Sequence, residues 1–380
     1  MTQSVPLEKL RNTLRWLPAW AWQQISRRPP RGPTHILIAI ADHFEPSILP
    51  STPGRFAARD EQERRLERWC REYPRAMEGW RDADGYPLRH TYCFPAEQYD
   101  AAQISRLAEH CRSGWGEIEI HLHHGIESPD SAENTERSLT SFRDALEKEG
   151  CLSRWQGEGP ARYAFVHGNW ALANSANGRY CGVDGEMEIL ARTGCYADLT
   201  LPSAPSPAQT ARINSLYECA LPLSERAPHR KGRDLRVGLP PRTLPLIIQG
   251  PLAITIRRRN GRLRPAIENG ELSGTNPPTP ERLRLWRRAA ISVKGRPDWL
   301  FVKLHCHGMD PRDEPAMLGL PMQSFLKELV GSSGSGTKVH FLTAREMVNI
   351  ALAACDGMVG EPGAFRDYRL KQVTPGRVAE

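Results

Sequence analysis

The run Glu117-Ile118-Glu119-Ile120-His121-Leu122-His123-His124-Gly125 alternates like a strand and then breaks into three histidines and a glycine. Four further strand-like runs end comparably. Residues 36–40 lead into Asp42-His43-Phe44-Glu45-Pro46, and 89–93 into Phe94-Pro95. Residues 163–166 lead into His167-Gly168-Asn169-Trp170, and 300–304 into His305-Cys306-His307-Gly308. Short apolar strands with polar side chains at their C-terminal tips constrain the fold strongly. They place those tips at one end of a parallel sheet, where α/β enzymes build metal or acid–base sites.

Between these runs lie helical patterns at 57–82, 101–112, 131–149, 185–193, 280–290 and 344–355. About eight strands, most followed by a helix, predict a parallel sheet with helices outside it, closed as one barrel-like α/β domain. No polar linker divides the middle of the chain, and 224–243 reads as a long loop. The domain is expected over 34–356, with residues 1–33 an N-terminal segment and 357–380 a tail that wraps the surface or frays. In 5–28, Leu7, Leu10, Leu14, Leu17, Trp20 and Trp22 recur at helical spacing among Lys9, Arg11, Arg15, Arg27 and Arg28. Such a segment either packs on the outside of the domain or lies on a membrane as a peripheral, basic amphipathic helix. Pro29-Pro30-Arg31-Gly32-Pro33 ends it as a stiff linker.

Composition excludes several classes. The net charge of +7, from 51 Lys and Arg against 44 Asp and Glu, is a modest excess. It fits a solvated basic surface or attraction to an anionic partner, and nucleic acid is not the expected one. The nine cysteines are scattered with no Cys-x-x-Cys pair, which argues against a zinc ribbon or thioredoxin-type site and for reduced thiols in the cytoplasm. No apolar stretch is long enough for a transmembrane helix, and no secretory signal is recognisable. Ser203 and Ser206 lack a nucleophile elbow. The run 331–336 is glycine-rich but lacks a phosphate-loop lysine, so it reads as a flexible loop. Arg257 to Arg262 reads as a basic hairpin around Asn260-Gly261.

Seven of the twelve histidines sit at four strand ends: His43, His121, His123, His124, His167, His305 and His307. Imidazoles with one carboxylate suit Zn, Co, Ni or Fe better than Mg or Ca. In a strand His121 and His123 share one face and His124 takes the other, unless the turn swings His124 back. A mononuclear site from Asp42, His121 and His124, with His123 beside it, would leave room for water and polarise a carbonyl. Asp42 or His43 would act as base, and His305 or His307 would protonate the leaving group. The competing reading is histidines that are merely hydrogen-bonded in a polar barrel mouth.

These motifs, in this order, resemble the polysaccharide deacetylase superfamily (carbohydrate esterase family 4 and relatives), and a bacterial branch of it. The resemblance implies a distorted (β/α)7-type barrel. Ala39-Ile40-Ala41-Asp42-His43 is similar to the family's Thr-Phe-Asp-Asp-Gly strand end, which puts Asp42 on the metal-binding aspartate and Ala41 on the catalytic base. Gly116 to His121 resembles the second motif, but Gly125 stands where the family has its second histidine, so His124 would substitute. His167-Gly168-Asn169-Trp170 resembles an Arg-x-Pro-Trp strand end. Gly185 to Asp198 is similar to the helix–Gly–Asp-strand element, and Lys303-Leu304-His305-Cys306-His307 to the motif that supplies the acid.

The resemblance implies a metal-dependent hydrolase that removes an acyl group from an N- or O-acylated sugar or related amide. His167, Trp170 and Asp198 would line the carbohydrate site, and zinc is the expected metal. The alternative is a barrel without its base that binds glycan or serves polysaccharide assembly.

Overall fold

The fold is known from a computed structural model that describes residues 4–372 apart from 28, 29, 31, 51–54, 260 and 332–335. Its strands are β1 (Thr34–His43), β2 (His90–Pro95), β3 (Gly116–Leu122), β4 (Ser153–Trp155), β5 (Glu158–His167), β6 (Cys195–Asp198), β7 (Leu216–Cys219), β8 (Gly232–Asp234), β9 (Leu246–Ile248), β10 (Ala253–Arg259), β11 (Arg262–Glu268), β12 (Glu271–Leu272), β13 (Trp299–Cys306), β14 (Thr337–Leu342) and β15 (Leu370–Gln372). The helices are α1 (Ser4–Leu14), α2 (Leu17–Ser26), α3 (Arg59–Met77), α4 (Ala101–His110), α5 (Ala132–Lys148), α6 (Glu186–Thr193), α7 (Pro280–Arg288), α8 (Glu314–Leu318), α9 (Leu320–Gly331) and α10 (Ala344–Cys355).

The main sheet runs in the order β12-β13-β1-β2-β3-β5-β6-β9-β7-β8, with β14 also on β1, and β4 and β15 attached beyond β5. β1 is buried at every position because Ile36-Leu37-Ile38-Ala39-Ile40-Ala41 has no polar alternation, the mark of a parallel strand covered on both faces. Ile36, Ile38 and Ile40 pack outward with Trp69 and Tyr73 of α3 and with Tyr92 and Phe94 of β2. Leu37, Ala39 and Ala41 face inward with Ala164, Val166, Ile248 and Phe301. The sheet curls until β6 and β9 approach β13. The Lys303 amino group donates to the Leu199 carbonyl at 2.7 Å, and Gly250 lies so close to the Lys303 carbonyl that a Cβ would sit 2.3 Å from it. The architecture is therefore mixed α/β and barrel-like, with β7 antiparallel to both β8 and β9.

Helix ends follow local chemistry. Asp100 and Ser131 cap α4 and α5 through their side chains, and Gly194 closes α6 with a left-handed φ of 103°. Thr343 and Glu346 form a capping box for α10, which is buried along its whole length and packs into the inner cluster with Leu37 and Phe301. β7 precedes the expected loop at 224–243 and β8 falls inside it, where a loop alone is expected; their runs of four and three residues are too short to carry a readable period. The 357–380 segment is tied down by β15, which pairs with β4, while 373–380 lie outside the described residues. So do parts of the expected Pro-rich linker, the 331–336 loop and the Asn260 turn, although β10 and β11 do pair antiparallel around that turn.

α1 and α2 pack on the domain. Trp16 is fully buried with Ala204, Ile213 and Leu252, and Asn12 donates to the Pro205 carbonyl at 3.1 Å. Leu7, Leu10, Leu14, Trp22 and Ile25 stay exposed. No helix among the described residues is long and apolar enough to cross a membrane.

At the lower end of the curl, the Arg345 guanidinium meets the Glu117 carboxylate at 2.7 Å, both side chains 5% exposed. Arg345 also donates to the Leu370 carbonyl, which anchors the C-terminal segment. Breaking a buried pair leaves an uncompensated charge. Arg345→Leu should therefore lose about 3–5 kcal/mol of stability by denaturant titration. Adding Glu117→Leu should recover part of that loss.

Candidate metal centre

At the tips of β1, β3 and β13, inward-facing positions converge. The His43 ring centroid lies 4.8 Å from His121, 4.8 Å from His307 and 6.1 Å from His305, and His121 lies 4.5 Å from His123. Glu45, two residues beyond His43, brings its carboxylate 3.4 Å from His121 Nε2 and 3.8 Å from His123 Nε2. One donor atom each from His43, Glu45 and His121 lies within 4.8 Å of the others.

The tautomer of His121 is decided by its partner. Its Nδ1 faces the Val166 carbonyl at 2.8 Å, and a carbonyl only accepts, so Nδ1 carries the proton. The Nε2 lone pair then points at the Glu45 carboxylate in a fully buried place where Nε2 has no hydrogen bond. Two acceptors facing each other need a proton or a cation between them. Nitrogen and oxygen donors at ~2.0–2.2 Å from a tetrahedral ion sit roughly 3.3–3.5 Å apart, which the 3.4 Å gap matches. Burial and the neighbouring histidines hold His43 well below the usual imidazole pKa, so it stays neutral and ligand-competent. Burial raises Glu45, but the imidazoles of His121, His123 and His307 around it outweigh that and bring it down to about 2. The donor set fits a divalent ion of the zinc class.

Around it stand acid–base groups. His123 Nδ1 pairs with Glu97 at 2.7 Å, which orients the ring and leaves Nε2 towards Glu45. His305 and His307 line a cleft of about 560 Å³ with Trp170, Arg179, Tyr180, the 202–207 loop, Asn269, Glu271 and, from α1, Glu8, Lys9 and Asn12.

The expected ligand set is divided by strand geometry. Asp42 is one step from His43 and so faces the helices, fully buried. It accepts from His90 Nδ1 at 2.9 Å and from the Gly308 N–H at 2.7 Å, which makes it a seat for the loop after β13 rather than a partner of His121. A Cβ at Gly308 would lie 2.4 Å from its carboxylate. His124 also faces outward. It meets His167 and Glu186 beneath α6, and does not swing back to His121. His167 is fully buried there and is not among the residues that line the cleft of Trp170. Asp198, expected to touch substrate, is fully buried and spends its oxygens on the Thr200 N–H and hydroxyl. Trp170 does line the cleft. Glu97 and the α1 wall are not among the expected site residues, and Glu45 is expected only as a base standing in for Ala41, not as a ligand. The spacing of His43 and Glu45, two apart at a strand end, is the sequence signal that points to Glu45.

Models of protein families and curated proteins yield no match to this chain. A solved structure from Mycobacterium smegmatis, provisionally described as a polysaccharide deacetylase, is similar over 86% of this chain and 92% of that chain. The identity is 14% and the TM-score 0.44, too loose an overlap to assign a fold.

Beneath the histidines the curl encloses Glu119, Asp198 and Lys303. Burial pushes Glu119 up to about 8 despite hydrogen bonds from Tyr196 and the Ala164 N–H. A carboxyl whose folded pKa is raised binds its proton more tightly when folded. Its contribution to stability is thus complete below its ordinary value and lost as pH rises towards 8. Glu119→Gln should make the denaturation midpoint fall less steeply than in the parent protein between about pH 5 and pH 8.

Proposed function

We propose that this protein is a metal-dependent hydrolase of the polysaccharide deacetylase type, acting on an N- or O-acylated sugar. The observation that carries the proposal is the His43–Glu45–His121 donor set, with His121 Nε2 aimed at an ionised carboxylate beside an open cleft. Two imidazoles and one carboxylate with an open side are the ligand pattern of catalytic zinc. A divalent ion held there supplies a Lewis acid for an acyl carbonyl and lowers the pKa of water.

The chain's own residues perform the rest. His123, oriented by Glu97, takes a proton from water at Nε2. His307, on the cleft wall, delivers a proton to the departing sugar nitrogen or oxygen. Trp170 offers a flat apolar face for a sugar ring, and Asn169, Arg179, Asn269 and Glu271 offer hydrogen bonds to hydroxyls. Ala41 stands where the resembled family keeps its base, which would favour a glycan-binding barrel without turnover. The His123–Glu97 pair supplies a base by another route, and this favours the hydrolase.

His121→Ala should lose both bound metal, by elemental analysis, and acetate release from acetylated oligosaccharides. Asp42→Asn should keep its metal. Full metal and turnover in His121→Ala would falsify the assignment.

Peripheral contact with a membrane through residues 5–28 belongs to the same proposal. Its support is the exposed Leu7, Leu10, Leu14, Trp22 and Ile25 beside Lys9, Arg11 and Arg15, next to the cleft mouth. Sedimentation with anionic vesicles should drop several-fold when Leu7, Leu10 and Leu14 are replaced by Ser; unchanged binding removes the membrane from the scheme.

A further inference from the structure

A second set of donors lies on the other face of the sheet. His124 follows β3, His167 ends β5, Glu186 opens α6, and Cys181 sits on the loop between β5 and α6. All four are buried, and one donor atom from each lies within 4.8 Å of the rest.

Their protons are assigned by what surrounds them. His124 Nδ1 faces the Asp130 carboxylate at 2.9 Å, and Asp130 is held in turn by the Thr135 hydroxyl at 2.8 Å. His167 Nδ1 faces the Gly168 carbonyl. Both partners only accept, so both Nδ1 atoms donate, and the two Nε2 atoms meet at 3.1 Å, a spacing that needs a proton or a cation between them. Glu186 Oε1 enters the same space, 2.9 Å from His124 Nε2 and 3.5 Å from His167 Nε2. Its Oε2 is taken by the Ala173 N–H at 2.5 Å and lies 3.7 Å from Cys181 Sγ. Four electron-rich atoms converge on one buried point.

We propose that this point is a closed, structural zinc site with His124, His167, Cys181 and Glu186 as its four ligands, separate from the centre in the cleft. Nitrogen, oxygen and sulfur donors around one tetrahedral zinc stand roughly 3.3–3.6 Å apart, close to the separations seen. Asp130 behind His124 and the Gly168 carbonyl behind His167 are the outer partners that orient zinc-bound imidazoles. Binding releases the Cys181 thiol proton to solvent and leaves the thiolate on the metal. No side of the set opens to the cleft, so the role is mechanical.

The site explains how the 168–185 loop keeps its shape. Asn169, Trp170, Ala173, Asn174, Asn177 and Tyr180 all have φ between 46° and 63°, a left-handed region that costs non-glycine residues energy. Such a backbone persists only where its surroundings over-determine it. Ligands at both ends of the loop, within it, and just past β3 beside it would do so. The loop in turn presents Trp170, Arg179 and Tyr180 to the cleft.

The test uses the full chain, stripped of metal and titrated with Co(II). A sulfur-to-cobalt charge-transfer band is expected, because Cys181 is in the set. The cleft centre has no thiol and cannot give that band, so His121→Ala should keep it while losing the cleft cobalt. The band should vanish in Cys181→Ser and survive in Cys306→Ser, which removes the thiol beside Asp42 and His90. In the parent protein, chelation should speed alkylation of Cys181, mapped by peptide mass, at least several-fold. Absence of the band, a band that survives Cys181→Ser, or alkylation indifferent to chelation would each overturn the site.

Discussion

Successive side chains of a strand point to opposite faces of the sheet, and this rule sorts the side chains at the tips of β1, β3 and β13. Positions 41, 43 and 45, then 119, 121 and 123, then 303, 305 and 307, run up the inner wall. Asp42, Leu122, His124 and Cys306 belong to the outer face. Two kinds of site grow from that division. The inner histidines gather beneath an open cleft, which His305 and His307 line. The outer ones, His124 and His167, are sealed beside α6, away from the cleft.

Polar residues inside a curled sheet have to be partnered, and the layers below the cleft show how. Glu117 is matched by Arg345, Glu119 by the Tyr196 hydroxyl and the Ala164 N–H, and Lys303 by the Leu199 carbonyl. Ala39, Ala41, Ala164 and Ala197 keep the inner face shallow enough for these longer side chains. The floor of the cleft is thus rigid sheet, while its walls are the 168–185 and 202–207 loops and the helix α1. That division of labour, stiff strands beneath and variable loops above, is how a parallel sheet supports specificity.

The chemistry has also shifted along the chain relative to the family it resembles. Ala41 removes one carboxylate from the inner face and Asp42 turns the other outward. Glu45, past the end of β1, brings its carboxylate to His121, and Glu97 pairs with His123. Buried as they are, His43 and His305 are held well below the ordinary imidazole pKa and remain neutral donors.

Much of this was legible in the chain alone. The apolar runs around Ile36–Ile40 and 300–304 and the helical stripe of 344–355 marked the core elements, because burial on both faces or on one stripe leaves a periodic trace. The histidines at the strand ends were legible as a cluster of imidazoles, which the structure divides between the two faces. Face assignment beyond the last strand residue was not legible. Whether His124 swings inward depends on the turn at Gly125, and period-two alternation stops where the strand stops. Nor could the sequence pair Glu97 with His123 or Cys181 with His167, since those partners come from separate elements joined only by packing. Local pattern determined which residues are strand tips. Tertiary structure alone decided which tips face one another, because hydrogen bonds between distant elements leave no period along the chain.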